Sequence, residues 1–236
     1  MTPAFDASSP PPAAQPDLLP PQAQPAPVAE GLVLPQQELG RGLMLAAGET
    51  LYHQGDAAES AFLVTSGLLA LAVGGTPGRE RLVDLAGPGD VAGAASRFQA
   101  RYLDTASALG PGTRVVALPL SDGPEAAREL LERAAARRLE RLTRRLGWEG
   151  APVAARLAAV FVDLAERFGQ EVADGMVRLT LPLTHDTLAG LVGAARETTS
   201  VAVQELRRRG LIAGTRGRYL VLPRALRDFA LEAAAN

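Results

Sequence analysis

The chain has 236 residues, with 24 basic and 26 acidic side chains, a net charge of −2, two His and no Cys. Every basic residue is Arg, and the lack of Cys excludes disulfides, thiolate zinc sites and cysteine-held iron–sulfur clusters. His53 and His185 lie far apart in sequence, so a histidine-rich metal site is not expected.

Residues 1–36 hold ten of the 18 Pro, together with Asp6, Asp17 and Glu30 and no Arg. Such a composition buries too little apolar surface to offset the cost of ordering, so a disordered arm is expected. It has neither the basic start nor the apolar segment of a signal peptide. No later stretch supplies 18 uncharged apolar residues, so a cytoplasmic protein without membrane contact is expected.

Residues 37–121 read as β-structure. Short apolar runs (Leu43–Ala47, Ala61–Val64, Leu68–Val73, Leu82–Leu85 and Val115–Leu120) alternate with turns at Gly48, Gly55–Asp56, Gly67, Gly74–Gly75, Gly87–Asp90 and Gly110–Gly112. That rhythm predicts a barrel or jelly roll.

Residues 122–147 read as one long helix, with Asp122 as a cap and Pro124 and Glu125 in the first turn. Leu131, Ala135, Leu139, Leu142 and Leu146 form a narrow apolar seam, and Arg133, Arg137, Arg141, Arg144 and Arg145 are assigned to the remaining surface. The seam suits packing on its own domain, but its length and charged flanks favour pairing with a second copy of the chain.

Residues 148–236 form the last unit. The pattern predicts a helix from Pro152 to Gly169, a strand over Val177–Leu181, helices over Leu183–Val192 and Arg196–Arg209, then a two-stranded hairpin through Gly214–Gly217. From Arg196 onward there are eight Arg and four acids, a local +4 where a nucleic acid would have to sit. Thr184 is a candidate N-cap, and Gly193 permits the sharp turn between the two helices. Val201, Val203 and Leu206 are placed behind the second helix, leaving Arg196, Glu197, Thr199 and Ser200 at its exposed start. There an Arg can take a guanine bidentately, Glu197 can accept from a cytosine amine, and the Thr199 methyl can touch a thymine methyl. Thr184, His185 and Gln204 join this DNA-facing set, and Arg216 and Arg218 are expected to hold phosphates.

The run Leu183–Leu206, with Arg196-Glu197-Thr198 at its centre, resembles the winged helix–turn–helix of the catabolite activator/FNR superfamily of bacterial transcription regulators. Gly48–Asp56, Gly67 and Gly87–Asp90 resemble the glycine-marked turns of that family's cyclic-nucleotide-type β-roll. The resemblance covers about residues 40–223. It implies an α+β fold: an N-terminal cyclic-nucleotide-binding-like β-roll (a jelly roll), a long dimerisation helix and a C-terminal winged helix–turn–helix. Val201 stands where a well-known member places another base-reading Arg, so the preferred DNA site should differ or be read less stringently.

The family's phosphate cassette follows Gly-Asp with Gly-Glu, and ten residues later places Arg before Ser or Thr. Here Gly93 is followed by Ala94 in place of the Glu, and Asp104 replaces the Arg; Thr105 keeps its hydroxyl. Ala95 lies on the same loop, Arg97 or Arg101 could reach inward, and Thr143 matches a hydroxyl position on the helix. An Asp beside a cyclic phosphate is repulsive and removes a charge-assisted fork. No cofactor and no cAMP binding in the ordinary mode are therefore expected, while another small effector stays open.

The resulting expectation is a homodimeric, site-specific regulator, an activator by the resemblance, with a palindromic promoter site and RNA polymerase as a partner. The alternatives are a regulator dependent on cAMP or another small ligand through a non-standard pocket, and a ligand-binding or scaffold protein with non-specific DNA binding. An enzyme is not expected: one His precedes residue 185, and no nucleophile elbow, P-loop or dinucleotide fingerprint is present.

Overall fold

The computed structural model describes residues 42–74, 80–121, 123–215 and 217–234. The expected arm over 1–36 and the expected cap Asp122 lie outside these residues. The chain divides into two compact units between Gly147 and Trp148.

The first unit is a β-roll of two four-stranded antiparallel sheets. One has the order β1(Gly42–Leu45), β8(Thr113–Pro119), β3(Ser60–Ser66), β6(Val91–Ala92). The other has the order β2(Thr50–Tyr52), β7(Thr105–Ala108), β4(Leu69–Val73), β5(Arg81–Ala86). Neighbours far apart in sequence pair in both sheets, as in a jelly roll. The sequence pattern did not predict β2, β6 and β7. Two of them have only two or three residues, and the third, Thr-Ala-Ser-Ala, lacks the large apolar residues that mark a strand. Their pairing is imposed by neighbours rather than by local preference.

Two clusters fill the roll. Between the sheets, Leu45, Tyr52, Phe62, Val64, Leu69, Leu71, Tyr102 and Val115 pack together. Tyr52 stacks on Tyr102 with ring centroids 3.8 Å apart and lies 5.9 Å from Phe62. A second cluster joins Ala61, Val91, Ala94, Leu118 and Leu120 to Leu131. Leu131 belongs to the helix α1(Glu125–Leu146), which is part of the same compact unit as the roll.

The second unit begins with α2(Val153–Phe168), whose apolar face makes the domain core. It continues with β9(Gln170–Ala173), β10(Met176–Leu179), α3(His185–Val192), α4(Arg196–Arg208), β11(Ile212–Thr215), β12(Arg218–Val221) and α5(Pro223–Ala234). The strands form one antiparallel sheet in the order β11-β12-β10-β9. Phe161 of α2 meets Tyr219 of β12 at 5.2 Å, and both are fully buried. The sequence pattern missed β9, an exposed strand, and α5. The Pro at the first position of α5 was the available signal for it. No helix among the described residues is long and apolar enough to cross a membrane.

Candidate nucleic-acid interface and effector pocket

The helix–turn–helix is built by local chemistry. Thr184 caps α3, its Oγ1 accepting from the Thr187 amide at 3.0 Å. Gly193 ends the helix in the left-handed region (φ 61°), which reverses the chain toward α4 with no Cβ in the way. Leu188, Leu191 and Val192 of α3 are buried, as are Ala202, Val203 and Leu206 of α4.

The exposed face of α4 carries Arg196, Glu197, Thr198, Val201 and Gln204. Two sequence expectations are corrected here. Thr199 has no exposed surface, and its hydroxyl donates to the Ala195 carbonyl at 3.0 Å, so its methyl faces the core and not a base. Its neighbour Thr198 takes the outward position. Val201 is 65% exposed rather than packed behind the helix. Both shifts follow from the 100° step of the helix, which lets Thr199, Ala202, Val203 and Leu206 share the inner face.

Arg196 approaches Asp186 of α3 (Nε–Oδ1 3.6 Å) with both side chains mostly in solvent. Such exposed pairs contribute about 0–1 kcal/mol, so the guanidinium exchanges this partner for another at little cost. Ser200 is half-buried: its hydroxyl reaches the Arg196 carbonyl at 2.9 Å and His185 Nδ1 at 2.8 Å. Together, His185 and Ser200 tie α3 to the start of α4. Arg207 donates to the Gly214 carbonyl at 2.8 Å and so anchors the β11–β12 wing to α4. Gly214 is at φ 86°, and a side chain there would strike the Arg218 carbonyl. Arg218 is exposed on β12, while Arg216 lies outside the described residues.

The pocket region of the roll is arranged differently from the sequence expectation. Arg101 points away from the interior, donating to the Gly55 carbonyl at 2.7 Å in an exposed position. Arg97 donates to the Leu120 carbonyl at 3.0 Å. Thr143 is exposed on α1. Ala94 packs in the cluster beneath Leu131, and Ala95 beside it is half-buried. Gly93 is at φ 74°, and a Cβ there would sit 2.9 Å from the Tyr102 ring, so both the backbone and the tyrosine account for the glycine. Thr105 accepts from the Gln54 amide at 3.1 Å.

Asp104 is buried between two partners. Its Oδ1 accepts from the Tyr52 hydroxyl at 2.9 Å, and its Oδ2 lies 2.5 Å from Arg138 Nη1. Arg138 is also 3.8 Å from Asp84, a second buried carboxylate on β5. Arg141 Nη2 and Arg145 Nη2 approach the same Asp84 at 3.1 and 3.3 Å, and Arg145 donates further to the Val83 carbonyl. Arg141 faces Asp90 as well, at 3.9 Å. Arg141 and Arg145 were expected on the helix surface; their side chains are instead 11% and 18% exposed. Burial alone would lower the Arg138 pKa, but Asp104 and Asp84 outweigh it and hold the group above its ordinary value. Burial, reinforced by the Asp104 charge, pushes the Tyr52 phenol well up, so it stays a hydrogen-bond donor.

Sequence reasoning missed Asp84, Arg138 and Tyr52. The signals were a lone Asp inside the apolar run Leu82–Ala86 and the i, i+3, i+7 spacing of Arg138, Arg141 and Arg145. The Asp104 carboxylate, at the position where the resemblance expects a phosphate-binding Arg, faces Arg138.

The expected apolar seam of α1 is split. Leu131 is fully buried and Ala135 partly buried against the roll, so both serve the core of their own domain. Leu139 and Leu146 are 67% and 62% exposed, with Leu142 half-buried between them.

Residues 43–128 match the family model for a cyclic nucleotide-binding domain, and residues 155–229 match that for a Crp-like helix-turn-helix domain. A CRP-like cAMP-activated global transcriptional regulator of Mycobacterium tuberculosis is 31% identical over 70% of this chain and 76% of its own length. The transcriptional regulator SdrP of Thermus thermophilus is 30% identical over 75% of this chain and 87% of its own. The crystal structure of a CRP/FNR-family transcriptional regulator, also from Thermus thermophilus, superposes with a TM-score of 0.66. It is 26% identical, covering 82% of this chain and 100% of that one.

Proposed function

The chain belongs to the CRP/FNR superfamily of transcription regulators and is not an enzyme; from this premise we propose that it is a homodimeric activator that reads palindromic promoter DNA without cAMP. The carrying observation is the outer face of α4, where Arg196, Glu197, Thr198, Val201 and Gln204 stand clear of the core. Arg196 and Glu197 have the donor and acceptor groups to read base edges in a major groove. Arg218 on the wing supplies a phosphate contact, which makes affinity fall with salt.

Leu139, Leu142 and Leu146 step along α1 at three- and four-residue intervals, the spacing at which two parallel helices interlock. Pairing through α1 presents two copies of α4. Such dimers read half-sites about 34–36 Å apart, one duplex turn, hence a palindromic operator. A dimer seated at a promoter would recruit RNA polymerase. No cofactor enters this reading, because Asp104 takes the place of the phosphate-binding Arg and pairs with Arg138 instead.

The M. tuberculosis relative is named as cAMP-activated, and that name favours a second reading in which cAMP acts through a non-standard pocket. Selection of bound sites from a random duplex pool, with and without cAMP, separates the two. A palindromic motif recovered without cAMP is the expected result. A motif that emerges only with cAMP would replace this reading with the second, and recovery of no motif would leave a scaffold with non-specific DNA binding.

A further inference from the structure

Arg138 and the Tyr52 hydroxyl both face the Asp104 side chain inside the roll. The arginine side chain is 14% exposed, and the tyrosine is buried. Both donors converge on one carboxylate, at 2.5 and 2.9 Å. Arg138 stands on α1, whereas Asp104 precedes β7 and Asp84 sits on β5. The contacts therefore bridge the helix to one sheet of the roll rather than linking residues of one element. Three guanidiniums from successive turns of α1 face two buried carboxylates of the roll, with Asp90 at the rim.

We propose that the roll carries its own effector: the Asp104 carboxylate is the resident ligand of the Arg138–Tyr52 anion site and, with Asp84, fixes α1 without any external anion. This rests on the reading of the protein as a regulator that dimerises through α1. The geometry connects the two. With 100° per residue, Arg138, Arg141 and Arg145 share one face, and Leu139, Leu142 and Leu146 lie roughly a quarter-turn away. Gripping the arginines therefore sets the direction in which the leucine seam points. In a ligand-gated arrangement the anion arrives from solution. Here it is part of the chain, so the seam is held at all times.

The ligand class of the emptied site follows from its donors. A guanidinium and a phenol hydroxyl take a small oxyanion, a carboxylate or a phosphate. Removing the Asp104 side chain leaves both donors in place and makes the site one for external anions.

The test uses the full-length protein and a fluorescent duplex carrying the site selected by the wild type. Wild type binds this operator without cAMP, and neither sodium acetate, inorganic phosphate nor cAMP changes the affinity beyond a sodium chloride control of equal ionic strength. Asp104→Ala binds it at least tenfold more weakly while its affinity for non-specific DNA is unchanged, and acetate or phosphate restores part of the loss. Asp104→Asn, which keeps the volume and one acceptor, covers the case in which Asp104→Ala does not fold. It loses operator affinity in the same direction without rescue, and hydrogen exchange at residues 138–146 speeds up while residues 60–66 stay protected. If folded Asp104→Asn binds the operator as the wild type does, with unchanged exchange in α1, the proposal is overturned although the regulator reading stands. If the wild type itself binds only with cAMP, the cAMP-free reading fails first.

Discussion

Arg138 and Arg196 are the same residue type in opposite circumstances. The side chain of Arg138 is 14% exposed, with Asp104 and Asp84 around it, whereas that of Arg196 is 64% exposed beside an equally solvated Asp186. Burial commits the first charge to its carboxylates, because separating a buried pair leaves a desolvated ion behind. Solvation leaves the second charge available, because water screens its present partner and a phosphate or guanine can replace it. Arg138 thus serves the roll's own structure, whereas Arg196 stays open to a partner.

The sharpest break of this contrast is Arg138→Ala against Arg196→Ala. The first strands Asp104 in a buried site and is expected to cost about 3–5 kcal/mol of folding stability. The second should stay within about 0.5 kcal/mol of wild type. Urea unfolding of the full chain measures both, and equal losses would dissolve the distinction.

Leu131→Ala and Leu139→Ala make the same comparison with apolar side chains. Leu131 is fully buried, so its truncation should cost about 2–5 kcal/mol. Leu139, at 67% exposed, should leave monomer folding nearly unchanged and instead shift the monomer–dimer equilibrium toward monomer in sedimentation.

On the DNA side, Arg196→Ala should lose about 1–3 kcal/mol at one guanine position and relax specificity there. A loss of similar size on every sequence would make Arg196 a phosphate contact instead. Thr198→Ala should alter base preference, while Thr199→Ala should lower stability and leave the motif as it is, since Thr199 is buried.

The smallest effect is on pH dependence. Burial and the Asp104 charge raise the Tyr52 pKa in the folded state. Folding thus favours the neutral phenol, and the stability this contributes is complete below the unfolded value of about 10 and is lost as pH climbs through the folded value. Tyr52→Phe should therefore flatten the fall of Tm above about pH 10. Tyr102, also raised by burial, should account for part of what remains.

Much of the molecule was legible in its residues. Gly and Pro spacing marked the roll, the three- and four-residue steps marked α1, and Thr184, Gly193 and the Arg196-Glu197-Thr198 run located the helix–turn–helix. These are local signals, carried by backbone preference and helical period, and a chain displays them before it folds. The sequence also placed Ala94 and Asp104 where the resemblance expects the Glu and Arg of a cyclic-nucleotide cassette.

It did not show what these residues meet in the fold. Which helix face meets the roll is a tertiary matter, and it turned Arg141 and Arg145 inward and divided one apolar stripe between the core (Leu131) and the surface (Leu139, Leu146). A step of 100° per residue separates Thr198 from Thr199 and is easily misjudged without the neighbours that fix it. The meeting of Asp84, Asp104 and Arg138 depends on residues 34 to 54 positions apart, and no periodicity reaches so far. Local chemistry determined most of the elements of this protein; long-range packing added the short strands of the roll and decided which charges are consumed within the fold and which remain to bind something else.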